Sequence, residues 1–373
     1  METKHNNLTT GQKVPLEGNR ACELSVANLE GAFPKITAQV ADCNTICILT
    51  HSNPDGDAMG ASLAWCNILV QLGKRVRVII PNNCPDYLQW LLGYKTHTLI
   101  FDKNKAEATE FIGQSDLFFC LDFNTFSRIE ELETLVKQTE KPLLLIDHHP
   151  NPAECFSVMV TNVKSSSTCE LVYRTIQGCG YEQYITTEIA EALYVGIVTD
   201  TGNFSHNSSR PEVYHVVADL LAYNIHKNDI HDQLFNVFSF NRMKLLGTML
   251  KDQFVYLPEY HTTYMYITKE NQKRFNFQVG DSEGFINMPL AIKDVVFCAL
   301  FTEYDNLVKV SFRSKFDFPA NEFSQEFFKG GGHLNAAGGK IHCPLRKAIS
   351  IFMNGLPKYK GLLDETKRRA GEI

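Results

Sequence analysis

Four short apolar runs, separated by stretches of helical periodicity, constrain the fold of this chain more than any other feature. They are Thr45–Thr50 (TICILT), Arg75–Ile80 (RVRVII), Leu117–Leu121 (LFFCL) and Leu143–Ile146 (LLLI). Each is too short for a helix and rich in residues that favour strands. Ala58–Leu72 carries apolar residues at helical spacing and stops near Gly73, and a second helix is expected from Ser127 to about Thr139. Continuously apolar strands are buried on both faces, and strands that alternate with helices pair in parallel. The expected architecture is α/β, a parallel sheet with helices on both faces. In such open sheets ligands bind beyond the carboxyl ends of the strands.

Those ends carry the residues with chemistry. His51-Ser-Asn-Pro-Asp55-Gly-Asp57 directly follows TICILT. It places three potential metal ligands within one turn, where Pro54 and Gly56 bend the backbone so that they can converge. The same segment also reads as an Asx turn capping the next helix. Asp122 closes LFFCL, and Asp147-His148-His149 closes LLLI. Two adjacent imidazoles beside a carboxylate have no packing advantage, and imidazole is the commonest metal ligand. Asp200 follows a helix expected to end at Val198. Together these form a mixed oxygen and nitrogen donor set suited to Mn²⁺ or Mg²⁺, with Zn²⁺ or Co²⁺ as alternatives.

The chain has 373 residues, beyond the roughly 250–300 at which one core stops growing. Two domains are therefore expected. From Thr187 to about Leu250 the pattern is helical, in Glu188–Val198, Arg210–Tyr223 and Asn241–Lys251. Phe254–Leu257 and Tyr264–Thr268 read as strands, and Val295–Glu303 with Leu307–Arg313 as a hairpin. A helix near Asn321–Phe328 precedes a glycine cluster. The expected divisions are a flexible leader 1–24, a catalytic domain 25–229, a helical linker 230–253, a smaller α+β domain 254–356 and a tail 357–373 ending as a solvated helix. Gly330, Gly331 and Gly332 let backbone approach an anion closely, and His333 adds a donor. Arg313 offers a planar fork for a terminal phosphate. Ser314 and Asn335 read equally as ligand contacts or as structural residues. His206, His215, His226 and His231 read as ordinary surface or core histidines.

Composition excludes several classes. The formal net charge of −6 argues against a wrapper of long nucleic acid, which would be basic. No apolar run approaches the ~20 residues that span a bilayer, and Met1–Arg20 has no signal-peptide core. The eleven cysteines are scattered without a CxxC pair, which argues against a zinc knuckle and for a reducing cytoplasm.

HSNPDGDAMGASLAW, LDFNTFSR, LLLIDHHP and VGIVTDTGNF resemble, in order, the four motifs of the DHH phosphoesterases. SFRSK and GGGHLNAAGG resemble the companion DHHA1 domain. The resemblance covers roughly residues 25–355 and is greatest to the subfamily of nano-RNases and 3′-phosphoadenosine-5′-phosphate phosphatases. It implies an N-terminal DHH parallel sheet, a helical linker and a smaller DHHA1 domain, with the active site in the interdomain cleft. It implies two divalent cations, Mn²⁺ first, with Mg²⁺ or Co²⁺ as alternatives. One would be held by His51, Asp55 and Asp122, the other by Asp57, Asp122, His148 and Asp200. His149 would contact the scissile phosphate or protonate the leaving group, and Asp147 would orient the imidazoles. Arg128 and Asn203 would support them. Arg313, Ser314, Gly330, Gly331, Gly332 and His333 would bind substrate. The implied substrates are short RNA, from di- to penta-nucleotides, and nucleoside bisphosphates, with no long nucleic acid and no membrane; a homodimer fits the family. The alternatives are a soluble linear or cyclic dinucleotide phosphodiesterase and a non-catalytic module for RNA ends. A pseudo-enzyme should have lost a ligand, yet all six are present.

Overall fold

The computed structural model describes residue 29 and residues 31–236, 238–278 and 280–371. The expected leader 1–24 lies outside them. The chain forms two compact units, one up to Leu234 and one from Phe235.

In the first unit six parallel strands form one sheet: β1 Thr45–Leu49, β2 Arg75–Ile80, β3 Thr98–Ile100, β4 Leu117–Leu121, β5 Leu143–Asp147 and β6 Val158–Thr161. Their order is β3-β2-β1-β4-β5-β6. The four expected runs are strands within a residue or so of their expected ends. The two edge strands β3 and β6 add to them, too short to carry a pattern. Apart from the single turn Tyr94–His97, the helices are α1 Phe33–Asp42, α2 Gly56–Gln71, α3 Lys105–Gln114, α4 Leu132–Lys137, α5 Thr168–Gly178, α6 Thr187–Asp200, α7 Pro211–Leu221 and α8 Lys227–Phe235. On one sheet face Cys47, Leu49, Phe118 and Cys120 pack with Phe111 and Ile112 of α3 and Leu132 and Val136 of α4. On the other, Phe119 meets Trp65 of α2 edge-on at 5.2 Å between ring centres. The strand order reverses between β1 and β4, and a ligand site is expected where the two carboxyl ends diverge.

Three local expectations are corrected. The helix expected over Ser127–Thr139 is broken into a 3₁₀ turn, Phe126–Ile129, and α4. Glu130 between them has φ +53°, which no helix continues through. Asp147 ends β5 rather than following it, and Asp200 is the last residue of α6.

Helix α2 is apolar nearly all round and buried along its length, as a helix enclosed by other elements must be. It lies close to α6: a Cβ on Gly60 would stand 2.4 Å from the Ala192 carbonyl oxygen, and one on Gly196 would stand 2.1 Å from Cys169 Sγ. These glycines set how near α2, α5 and α6 approach.

The second unit holds β7 Phe254–Leu257, β8 Thr262–Ile267, β9 Phe297–Glu303, β10 Val308–Ser314, β11 Gly331–His333 and β12 Ala336–Ile341. Their order is β11-β12-β10-β9-β8-β7. Only β8 and β9 pair in parallel; the other neighbours are antiparallel. One face packs Phe297, Phe301 and Phe312 against Phe323 of α10 (Ala320–Phe328) and Phe352 of α11 (Leu345–Gly371). The other packs Met265, Ile267, Cys298 and Leu300 against Leu245 and Met249 of α9 (Phe240–Asp252). Helix α11 continues past residue 356, with Leu363 buried and Lys367 Nζ 2.8 Å from Asp294 Oδ1.

In an open helix Gly→Ala would stabilise by about 1 kcal/mol. At Gly60 the added methyl meets backbone, so Gly60→Ala is expected to destabilise by about 1–3 kcal/mol. Chemical denaturation of the metal-free protein checks this, and a gain in stability would contradict the close packing of α2 on α6.

Candidate metal centre

The carboxyl ends of β1, β4 and β5 bring their polar residues to one place. His51 follows β1, and Asp55 is the N-cap of α2, its Oδ1 accepting from the N–H groups of Asp57 (3.0 Å) and Ala58 (3.1 Å). The cap and the ligand readings of this residue are compatible, because a carboxylate offers about four lone-pair sites and the two amides use only those of Oδ1, leaving Oδ2 to ligate. Asp57 sits in the first turn of α2, almost fully buried. Asp122, just past β4, has φ +63°, a conformation that costs a non-glycine residue about 1–3 kcal/mol and gathers at functional sites.

Asp122 is the centre of the arrangement. Its Oδ2 lies 3.3 Å from His51 Nε2, and its Oδ1 lies 3.8 Å from His148 Nε2 and 3.7 Å from His149 Nδ1. His148 Nε2 is also 3.5 Å from Asp200 Oδ2. Three groups of ligating atoms each fall within 4.8 Å: His51, Asp55 and Asp122; Asp57, His148 and Asp200; Asp122, His148 and His149. The structure thus brings together all six residues expected as metal ligands, with His149 beside them.

The donor chemistry fits cations. His51 Nδ1 is 2.9 Å from the Ser52 carbonyl oxygen, so Nδ1 carries the proton. Its Nε2 is then a buried lone pair aimed at carboxylate oxygen, without a hydrogen-bond partner among the described residues. Only a proton or a cation reconciles the two. The titrations point the same way. Burial, with the charge of Asp122, pushes the Asp57 carboxyl up to about 7. Burial lifts Asp200 well above the carboxylate range despite the pull of His148. Burial would also raise Asp122, but the imidazoles of His51, His149 and His148 hold it well below its ordinary value. Burial disfavours the imidazolium of His148, yet Asp200, Asp122 and Asp57 raise it to about 9. Without a cation, burial favours protons on Asp57 and Asp200 while Asp122 stays ionised among the imidazoles.

His149 is built into a separate chain. Its Nδ1 donates to Asp147 Oδ1 at 2.7 Å, and Arg128 donates to its Nε2 at 2.9 Å. Asp147 is fully buried at the end of β5, so the orientation of this imidazole is fixed from below.

The pattern of the DHH family N-terminal domain matches residues 45–197, and that of the DHHA1 domain matches residues 260–350. A solved structure described as an exopolyphosphatase-related protein from Bacteroides fragilis is 38% identical, with a TM-score of 0.87 over 90% of this chain and 98% of its own. The chain belongs to the DHH family. It is also similar to the bifunctional oligoribonuclease and PAP phosphatase NrnA of Thermus thermophilus, 29% identical over 79% of this chain and 84% of that protein. The protein of the same name from Bacillus subtilis is 24% identical over 80% and 90%. No helix among the described residues is long and apolar enough to cross a membrane.

The DHH centre also uses residues that the sequence reading passed over. At the start of α5, Thr168 Oγ1 donates to Asp122 Oδ1 at 2.8 Å. The N–H groups of Thr168 and Cys169 donate to the two oxygens of Asp57 at 2.6 and 2.8 Å. Behind them Glu170, 1% exposed, accepts from Ser166 and from Arg174 and Arg210. The signal was present: Ser167 followed three residues later by Glu170 is the spacing of a helix start.

In the DHHA1 domain Arg313 of β10 stands opposite Ala336 of β12, which stands opposite His333 of β11. Residues paired directly across strands share a face, so Arg313 and His333 flank a small alanine on one side of the sheet. Among the described residues Arg313 donates to the Phe312 carbonyl (2.9 Å) and forms no ion pair. Gly331 and Gly332 lie in the edge strand β11, with Gly330 directly before it. A Cβ on Gly330 would meet Gly338 O at 2.0 Å and one on Gly332 would meet Ala336 O at 2.4 Å, so the hairpin itself requires both. Among the described residues nothing stands within 4 Å of a Cβ at Gly331, so their packing does not explain that glycine. Ser314 is turned away from Arg313; its hydroxyl donates to Phe318 O (2.7 Å) and accepts from Asn335 Nδ2 (2.9 Å).

Cations must displace protons from His148, raised to about 9, and Asp57, raised to about 7. Mn²⁺ affinity is therefore expected to rise from pH 6 to pH 9 and to release protons at pH 7. Calorimetry in two buffers of different ionisation enthalpy checks this. Binding without proton release would contradict the assignment.

Proposed function

We propose that this protein is a metal-dependent phosphohydrolase that releases mononucleotides from di- to penta-nucleotide RNAs and converts 3′-phosphoadenosine-5′-phosphate to AMP. The observation that carries the reading is the sharing of Asp122 between two sets of ligating atoms, one on each of its oxygens. In this reading His51, Asp55 and Asp122 hold one divalent cation, and Asp57, Asp122, His148 and Asp200 hold the other, Mn²⁺ in preference to Mg²⁺ or Co²⁺. Such a pair supplies Lewis acidity to phosphate oxygens and water acidified towards neutral pH. The substrate classes are those that the names of the relatives carry, oligoribonucleotides and PAP; the length range is the one the family resemblance implies.

The remaining roles belong to the side chains. His149 meets the scissile phosphate or protonates the leaving oxygen, and Asp147 keeps its ring in place. Arg128, bonded to His149 through one N–H, has further donors suited to phosphate oxygens. Arg313 and His333 take the phosphate at the far end of the substrate. Between them Ala336, with Gly331 alongside, leaves room for it to lie against backbone.

A rate series on RNAs from the dinucleotide upward, run with Mn²⁺ beside 3′-phosphoadenosine-5′-phosphate, cyclic dinucleotide and polyphosphate, tests this. Rates should be highest on the shortest linear RNAs and fall sharply beyond the pentanucleotide. Arg313→Ala should raise KM by about 10-fold or more, the loss of one charge-assisted contact of about 1.5–3 kcal/mol, with Mn²⁺ content unchanged. Hydrolysis of cyclic dinucleotide or polyphosphate alone would overturn the substrate assignment. Loss of Mn²⁺ in the Arg313 variant would overturn its role.

A further inference from the structure

We propose that Thr168 is the positioning residue that builds one of the two cation sites: its hydroxyl fixes the rotation of Asp122, and the helix turn it opens clamps Asp57. The proposal rests on the two-cation reading above and adds a residue outside the ligand set.

Thr168 is wholly buried. The first turn of α5 does three things at once. The Thr168 hydroxyl donates to Asp122 Oδ1 (2.8 Å), its N–H donates to Asp57 Oδ2 (2.6 Å) and the Cys169 N–H donates to Asp57 Oδ1 (2.8 Å). Helix N-termini favour carboxylates through these unpaired amides and the helix dipole. Both contacts serve the same cation site. Asp57 belongs to the group with His148 and Asp200. Asp122 Oδ1 faces His148, whereas Oδ2 faces His51. Among the contacts of the described residues, none joins this turn to His51 or Asp55. A carboxylate oxygen that accepts one hydrogen bond keeps a lone pair for a cation, so the hydroxyl orients Asp122 without blocking it.

Helix capping does not account for the hydroxyl. Ser167 is the N-cap, its Oγ accepting from the Glu170 N–H at 3.1 Å. The turn is held further by Glu170, which binds Ser166, Arg174 and Arg210. Among the described residues Thr168 Oγ1 has one hydrogen-bond partner, Asp122.

The test compares Thr168→Val, which keeps the shape and the amides but lacks the hydroxyl, with Thr168→Ser. Each protein is titrated with Mn²⁺ by calorimetry. Thr168→Val should bind one Mn²⁺ as wild type does and the second about 10–100-fold more weakly, the usual effect of losing a residue that orients a ligand. kcat on a dinucleotide should fall while KM stays near wild type, and Thr168→Ser should restore both. Thermal unfolding of the metal-free proteins separates folding from binding, and Thr168→Ala replaces the valine variant if that one does not fold. Wild-type affinity for both ions without the hydroxyl would overturn the proposal, as would a defect that serine does not repair. Failure of the wild-type protein to bind two Mn²⁺ would overturn the two-cation reading itself.

Discussion

Like charge brought together in a buried place is the constraint on which this structure turns. Asp57 and Asp122, both buried, meet half-buried Asp200 at the end of a parallel sheet, with Asp55 at the rim. Such a cluster costs several kcal/mol per uncompensated ion. The metal-free protein offsets this in three ways. Burial favours the neutral forms of Asp57 and Asp200, and the surrounding carboxylates favour the imidazolium of His148. The fold places the amides of a helix N-terminus on Asp57. It surrounds Asp122 with imidazoles. Divalent cations would do the same with less compromise, because they need the ionised carboxylates that protons remove. The repulsion that weighs against folding is thus the attraction that favours metal.

The fold supplies the convergence cheaply. Where the strand order reverses between β1 and β4, loops leave in opposite directions and open a crevice. β1 delivers His51 and the start of α2, β4 delivers Asp122, and β5 delivers the Asp-His-His run. Asp200 comes from a helix rather than a strand end, on the last turn of α6. Its approach depends on how closely α6 lies against α2, and the glycines at 60 and 196 set that distance. Packing and chemistry therefore share residues: a Cβ on Gly196 would stand 2.7 Å from Asp57 Oδ1.

Much of this was legible in the amino-acid order, for a physical reason. Strands buried on both faces must be continuously apolar, so β1, β4 and β5 stand out, and a polar residue at the end of each is conspicuous. Edge strands β3 and β6 bury less and leave little trace. The first turn of α5 was missed because Ser165-Ser166-Ser167-Thr168 reads as a polar loop, while its partners Asp57 and Asp122 are distant along the chain. Glu130 broke an expected helix through a backbone angle that no glycine advertised. Arg313 was visible as a residue, but its alignment with His333 depends on the register of three strands, which is set by long-range pairing. Ser314 could have been set aside sooner, since neighbours on a strand face opposite ways.

The central claim is that Asp122 stands between two cation sites. Crystals of the protein soaked in Mn²⁺ and measured at a wavelength where manganese scatters anomalously test it most directly. The account predicts two anomalous peaks, one against each oxygen of Asp122, the first also touching His51 and Asp55 and the second Asp57, His148 and Asp200. A single peak, or peaks that leave Asp122 untouched, would contradict it.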